Sequence, residues 1–274
     1  MNIAQALAVR GEVDSYERQE NAWLLAHILQ CSATQLKLML DDELSDAQHA
    51  EYLQGLQRIA AGEPLAYVLG SQPFWTLDLI VSKETLVPRP DTEILVETAL
   101  QLAVPRHSQV LDLGTGTGAI ALSLASERAD WQVFATDIAE ETLAVAQANA
   151  KKHGLNDVQF FCGSWFDALA QQSALRFDLI VSNPPYIAED DEHLTALQQE
   201  PRRALVAKNQ GLADLEHIIQ QSVAWLKHGA WLVLEHGYQQ GKDVQALLQQ
   251  AGFSQVRTVK DYAGQDRVSL GRWL

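Results

Sequence analysis

An apolar run that ends in a glycine-rich turn and passes straight into a helical pattern constrains this chain more than any other feature. Gln109-Val110-Leu111-Asp112-Leu113 reads as a buried parallel strand. Gly114-Thr115-Gly116-Thr117-Gly118 forms the turn, and Ala119-Ile120-Ala121-Leu122-Ser123-Leu124-Ala125 begins the returning helix. A strand with so little polar alternation needs helices on both faces, so the chain is expected to be α/β with a mostly parallel, doubly wound sheet. The pattern continues to the C terminus. Strands are expected at residues 131–136, 158–161, 177–181 and 230–235, and helices at roughly 140–153, 212–227 and 239–250. Residues 255–259 and 267–273 have no helix between them and should close the sheet as an antiparallel edge hairpin. Asp137 follows the second of these strands, roughly 20 residues past the glycines, where a carboxylate can bind ribose hydroxyls. The glycine turn also fits NAD-type dehydrogenases, or a turn that only packs a helix on a sheet.

The first sixty residues read differently, as short helices. Asp14 with Glu17 suggests one start and Ser45 with Gln48 another, with Leu24, Leu25, Ile28 and Leu29, then Leu53, Leu56 and Ile59, facing inward. A small helical bundle is the expectation. Residues 66–70 and 74–81, parted by Ser71-Gln72-Pro73, read as a hairpin, and Val87-Pro88-Arg89-Pro90-Asp91-Thr92-Glu93 leads into a helix with Asp91 or Thr92 near its cap.

With 274 residues, 47% of them hydrophobic, the chain can bury a sizeable core. A net charge of −15 speaks against affinity gained by neutralising phosphates, so direct nucleic-acid binding is not expected. No HExxH or other close ligand spacing involves the eight histidines, and the two cysteines form no CxxC pair, so no metal is expected. No basic-then-apolar leader and no apolar run near the ~18 residues of a membrane span is visible, which makes the cytoplasm the expected address and a membrane an unexpected partner.

Chemistry concentrates after the strand at 177–181, in Ser182-Asn183-Pro184-Pro185-Tyr186. Two prolines stiffen the turn and remove its N–H donors. The Asn183 carboxamide oxygen, the Pro184 carbonyl and the flat Tyr186 ring then suit the two N–H bonds of a planar –NH2 group, either an amide or an exocyclic amine. Taken alone, the stretch also reads as a plain turn. Residues 182–211 make a long connection where α/β loops usually run about 2–6 residues, and substrate is expected there.

The glycine turn, Asp137 and Asn183-Pro184-Pro185-Tyr186 together resemble class I S-adenosylmethionine-dependent methyltransferases acting on planar nitrogen. More narrowly, the chain resembles the bacterial protein-(glutamine-N5) methyltransferases of peptide chain release factors, the HemK/PrmC family. Further motifs carry the likeness: Glu63-Pro64-Leu65-Ala66-Tyr67 with Gly70, Val87-Pro88-Arg89-Pro90-Asp91-Thr92-Glu93, and Glu200-Pro201-Arg202-Arg203-Ala204-Leu205.

The resemblance implies a helical substrate-recognition domain at 1–62, a hairpin linker at 63–90 and an S-adenosylmethionine-dependent domain at 91–274. It implies a cofactor site of Gly114, Thr115, Gly116, Thr117, Gly118, Asp137, Trp165 and Asn183. Substrate would be held by Asn183, Pro184, Pro185 and Tyr186, with Asn183, Pro184 and Tyr186 catalytic. The cofactor would be S-adenosyl-L-methionine, with S-adenosyl-L-homocysteine as product, and the reaction methylation of the Gly-Gly-Gln glutamine of class I release factors by a monomeric enzyme.

Other readings stay beside it: methylation of a ribosomal-protein glutamine, methylation of an exocyclic amine in DNA or RNA, an NAD-dependent oxidoreductase, or a non-catalytic clasp for a translation factor. Asp112 reads either as support for the glycine turn or as a ligand contact, Trp165 and Phe166 as cofactor stack or core, His236 as substrate contact or structural histidine, and Arg89 as a tie to the linker or an ion pair.

Overall fold

The computed structural model describes residues 1–274, which divide into two compact units, Met1–Ser71 and Gln72–Leu274. The first unit contains α1 (Ile3–Leu7), α2 (Tyr16–Ile28), α3 (Ala33–Leu38), α4 (Asp46–Ala60) and α5 (Leu65–Leu69). Reciprocal capping boxes start three of these helices, pairing Asn2 with Gln5, Ser32 with Gln35 and Ser45 with Gln48. The cap of α2 is Ser15, whose hydroxyl accepts from the Arg18 N–H at 3.2 Å, and not Asp14, which is held at φ 70°. Ile3, Leu24, Leu25, Leu36, Tyr52 and Ile59 make the core of this unit. Buried Asn21 donates to the Ala6 carbonyl at 3.0 Å, and the Tyr52 hydroxyl lies 2.7 Å from that carbonyl and 2.9 Å from Asn21 Oδ1, so α1, α2 and α4 share one satisfied polar cluster.

The expected strand at 66–70 is instead the helix α5, opened by Pro64 and stopped by Gly70. A short apolar run has no period of its own to decide between helix and strand, and proline at the helix start decides here. The hairpin lies one step later, as β1 (Ser71–Phe74) and β2 (Leu77–Ile80), because Trp75 turns the chain at φ 55° within the run expected as one strand.

The second unit continues with α6 (Glu93–Gln101), β3 (Gln109–Leu113), α7 (Ala119–Glu127), β4 (Gln132–Asp137), α8 (Glu140–Lys152), β5 (Gln159–Cys162) and β6 (Phe177–Ser182). It ends with α9 (Ala213–Ser222), β7 (Leu226–Glu235), α10 (Gly241–Gln250), β8 (Ser254–Lys260) and β9 (Asp266–Arg272). The seven strands run in the order β5-β4-β3-β6-β7-β9-β8. Five are parallel, β9 joins β7 antiparallel, and β8 closes the edge against β9. Successive side chains serve opposite faces: Val110, Leu179 and Val181 belong to one core layer, Leu111, Leu113 and Ile180 to the other. The expected helix at 212–227 ends at Ser222, whose hydroxyl turns back onto the Ile219 carbonyl at 2.8 Å. Leu226 instead opens β7, opposite Phe177.

Strand order reverses at β3, which pairs with β4 on one side and β6 on the other. In a doubly wound sheet this switch point opens a crevice at the carboxyl ends of the strands. Here the glycine turn leaves β3 and Asn183 follows β6. No helix is long and apolar enough to cross a membrane.

Candidate active site

A cavity of about 330 Å³ occupies that crevice. Of the residues expected to hold cofactor, Gly114, Thr115, Gly116, Thr117, Asp137, Trp165 and Asn183 line it, whereas Gly118 starts α7 beside Leu122 and does not. The turn gives the cavity a floor of bare backbone. Gly116 has φ 57°, and a β-carbon there would meet nothing within 4 Å, so any side chain would stand in the open space. Asp137 steadies this floor from the end of β4, accepting the Gly116 N–H at 3.0 Å through one oxygen and the Ala139 N–H at 3.2 Å through the other. Burial raises its pKa, opposed by those N–H donors and by the charge of Arg203.

Asp112 supports the turn from beneath and does not line the cavity. One oxygen accepts the Thr115 hydroxyl at 2.7 Å and the Ala121 N–H at 3.2 Å, the other has no partner, and full burial raises its pKa to about 7. Trp165 lines the cavity beside Gly114, where an added β-carbon would lie 3.1 Å from its ring, while packing on the apolar layer beneath. It therefore belongs to cavity and core at once, and Phe166 belongs to the core.

A second cavity of about 210 Å³ shares Leu86, Arg89, Asn183 and Ala204 with the first and is lined besides by Pro184, Tyr186, Leu197 and Leu205. Pro185 faces the first cavity, and Asn183 lines both. The Asn183 carboxamide donates to Thr92 Oγ1 at 3.1 Å. Tyr186 donates its hydroxyl to Glu235 Oε1 at 3.2 Å, and its backbone carbonyl accepts from Gln240 Nε2 at 3.0 Å. Glu235 ends β7 in full burial, which lifts its pKa to about 7 against the Tyr186 hydrogen bond and the charge of Arg267, and its Oε2 has no hydrogen-bond partner. The Tyr186 hydroxyl is pushed well above its ordinary range by burial and by Glu235.

Arg89 forms an ion pair with buried Glu200, whose other oxygen accepts the Val87 N–H at 3.1 Å, so the Pro88-Arg89-Pro90 segment is clamped to the long loop after β6. Arg203 reaches Glu84 and Thr142 from the rim of the first cavity. His236 is structural: fully buried, it lies 2.9 Å from the Gly237 carbonyl through Nδ1 and 2.8 Å from the Ser269 hydroxyl through Nε2. Sequence reasoning left Thr92, Glu200, Arg203, Glu235 and Gly211 without a role at the site. Thr92, Glu200 and Arg203 at least sit in quoted motifs, but Glu235 reads as an ordinary strand end.

The fold and the paired cavities at its switch point define a methyltransferase, and the Methyltransferase small domain family matches residues 89–211. The PrmC N-terminal domain family matches residues 2–70. Over 98% of its length the chain is 43% identical to the release factor glutamine methyltransferase of Aliivibrio fischeri, covering 94% of that protein. It is 47% identical over 92% of its length to the same-named protein of Vibrio cholerae, covering 88%. The chain belongs to the release factor glutamine methyltransferase family. Among solved structures, the 16S rRNA N2 G1207 methyltransferase of T. thermophilus, in complex with AdoMet and guanosine, shares the fold at a TM-score of 0.53 and 21% identity, over 74% of this chain and 50% of that one.

Proposed function

We propose that this chain transfers the methyl group of S-adenosylmethionine to the side-chain amide nitrogen of the glutamine in the Gly-Gly-Gln loop of class I peptide chain release factors. The observation that carries the reading is the shared wall: Asn183 lines both the glycine-floored cavity and the proline–tyrosine cavity. A donor in the first and a carboxamide in the second would meet at Asn183. S-adenosylmethionine supplies an electrophilic methyl group on sulfonium, which needs no metal.

An amide nitrogen is a poor nucleophile because its lone pair is delocalised, so the protein's part is to orient it and stabilise the positive charge it develops. Asn183 Oδ1 and the Pro184 carbonyl are the acceptors proposed for the two amide N–H bonds, beside the Tyr186 ring. Leu86, Leu197 and Leu205 give that cavity apolar walls beside the same acceptors. Gly114 and Gly116 would let the donor lie on backbone, Asp137 would take the ribose hydroxyls and Trp165 the adenine. Residues 1–62 are assigned to substrate recognition, 63–90 to the linker and 91–274 to chemistry, in a cytoplasmic monomer whose charge of −15 speaks against affinity gained by neutralising phosphates.

The test is reaction of the purified protein with labelled S-adenosylmethionine and intact release factor, followed by tandem mass spectrometry. One methyl on the Gly-Gly-Gln glutamine is expected, and none after Gln→Glu in the factor, which removes both amide donors. A short Gly-Gly-Gln peptide should react far more slowly, since its ordering entropy opposes binding. Label on a ribosomal protein or on adenine, with the factor untouched, would overturn the assignment.

Asp137→Ala is expected to weaken S-adenosylmethionine binding by roughly tenfold or more, the loss of a charge-assisted hydrogen bond worth about 1.5–3 kcal/mol. Titration calorimetry on the folded variant reads this directly. Unchanged affinity would remove Asp137 from the cofactor site.

A further inference from the structure

We infer that Gln240 is a positioning residue whose side-chain amide ties the two ends of the long loop after β6 together, and so holds the proline–tyrosine cavity in shape for the substrate amide. This rests on the reading of Asn183, Pro184 and Tyr186 as the grip on that amide. Most of the second cavity comes from one connection: Pro184, Tyr186, Ile187, Leu197, Ala204 and Leu205 all lie between β6 and α9. A connection of that length keeps one shape only where it is tied, because a free chain samples many arrangements.

Gln240 stands where both ends pass. It immediately precedes α10, and its own N–H donates to the Gly237 carbonyl at 2.9 Å while its carbonyl accepts the Val244 N–H at 3.0 Å, so its backbone is fixed outside the loop. Its Nε2 donates to the Tyr186 carbonyl at 3.0 Å, near the start of the loop, and to the Gln210 carbonyl at 3.1 Å, near its end. Its Oε1 accepts the Gly237 N–H at 2.8 Å. Every partner is a backbone group, and a backbone N–H only donates while a carbonyl only accepts. One orientation of the amide therefore satisfies all three bonds, with both Nε2 protons spent on the loop, one at each end.

Two glycines make room for this amide. A β-carbon on Gly211 would lie 2.7 Å from Nε2, and one on Gly237 would lie 3.1 Å from Oε1. The ties within the loop, Ile187 N–H to the Leu205 carbonyl at 2.9 Å and Ala207 N–H to the Ile187 carbonyl at 3.0 Å, join one part of it to another. Gln240 joins both ends to the start of a helix.

Gln240→Met keeps the length of the side chain and removes its hydrogen bonds, whereas Gln240→Glu keeps the shape and sets an acceptor against two carbonyls. With intact release factor, kcat is expected to fall about 5- to 10-fold in the Met variant and about 30-fold in the Glu variant, because a displaced acceptor costs most as charge develops on nitrogen. The release-factor KM should rise by no more than about threefold and S-adenosylmethionine affinity should stay within about twofold, since Gln240 lines neither cavity.

Hydrogen exchange read by mass spectrometry gives a measurement independent of activity. Amides of residues 187–207 should exchange about tenfold faster in both variants, and those of the glycine turn at the parental rate. Melting temperatures confirm folding, and either variant decides the matter if the other does not fold. Parental kcat or parental loop exchange in a folded variant would overturn the role of Gln240, as would exchange quickened throughout the second unit. Normal turnover in Asn183→Ala, beside slow turnover and fast loop exchange in the Gln240 variants, would instead place the failure in the reading of Asn183.

Discussion

Asn183→Ala is expected to lower kcat by about 10²–10³-fold at saturating S-adenosylmethionine and release factor, the scale of removing one group aimed at developing charge in a closed site. The effect should fall on turnover because the proposed acceptor binds the neutral amide weakly and the partly positive amide strongly. S-adenosylmethionine affinity should change much less, since the glycine turn and Asp137, which also line that cavity, keep their own hydrogen bonds. The fold should also survive: Asn183 is partly exposed, and its side chain's hydrogen bond is to Thr92. Single-turnover rates with calorimetry on the same preparation check the two expectations. A variant that bound S-adenosylmethionine and turned over near the parental rate would show that the amide is not held by Asn183.

The parts of the site legible in the sequence are those whose physics is local. The β3 run, the glycines after it and Asp137 fall within one strand-turn-helix-strand unit, so spacing alone brings them together. Asn183-Pro184-Pro185-Tyr186 is legible because proline rigidity acts on its immediate neighbours. The remaining elements turn either on a flanking residue that a short apolar run masks or on a neighbour elsewhere in the chain. Residues 66–70 carry an apolar run that fits strand or helix, and Pro64 with Gly70 settles it as helix. Residues 226–227 look like the end of a helix until β6 is present to pair with Leu226. Glu235 is the extreme case: its meaning comes from Tyr186 and Arg267, both distant in the chain, and no local pattern distinguishes it from any carboxylate at a strand end. Thr92 was visible as a cap and is one by position, yet its hydroxyl serves Asn183 across 91 residues of sequence.

Gly211→Ala should disable turnover from a position with no chemistry of its own. Gly211 is buried at φ 83°, and a β-carbon there would lie 2.0 Å from the Tyr186 carbonyl oxygen and 2.7 Å from Gln240 Nε2. Gln240 can rotate away, but the carbonyl belongs to the backbone and moves only with the loop. That loop is held by the Gln240 bond to the same carbonyl, by Ile187 N–H to the Leu205 carbonyl at 2.9 Å and by Tyr186 to Glu235.

Displacing Tyr186 therefore strains these ties and, through two stiff prolines, shifts Pro184 and Asn183. A misplacement near 1 Å at reacting groups costs about 10²-fold in rate, so kcat should fall by about that factor. Stability should fall as well, by the clash and by the left-handed backbone that alanine disfavours. S-adenosylmethionine affinity should stay within a few-fold, because Gly211 does not line the first cavity and touches none of the glycine turn.

Gly211→Asn separates the two causes. Asparagine tolerates the left-handed backbone but carries the same β-carbon, so it should be as inactive as alanine if the contact with Tyr186 is what matters. An active asparagine variant would make backbone strain the cause, and an active alanine variant would show that the Tyr186 loop can yield without carrying Asn183 with it.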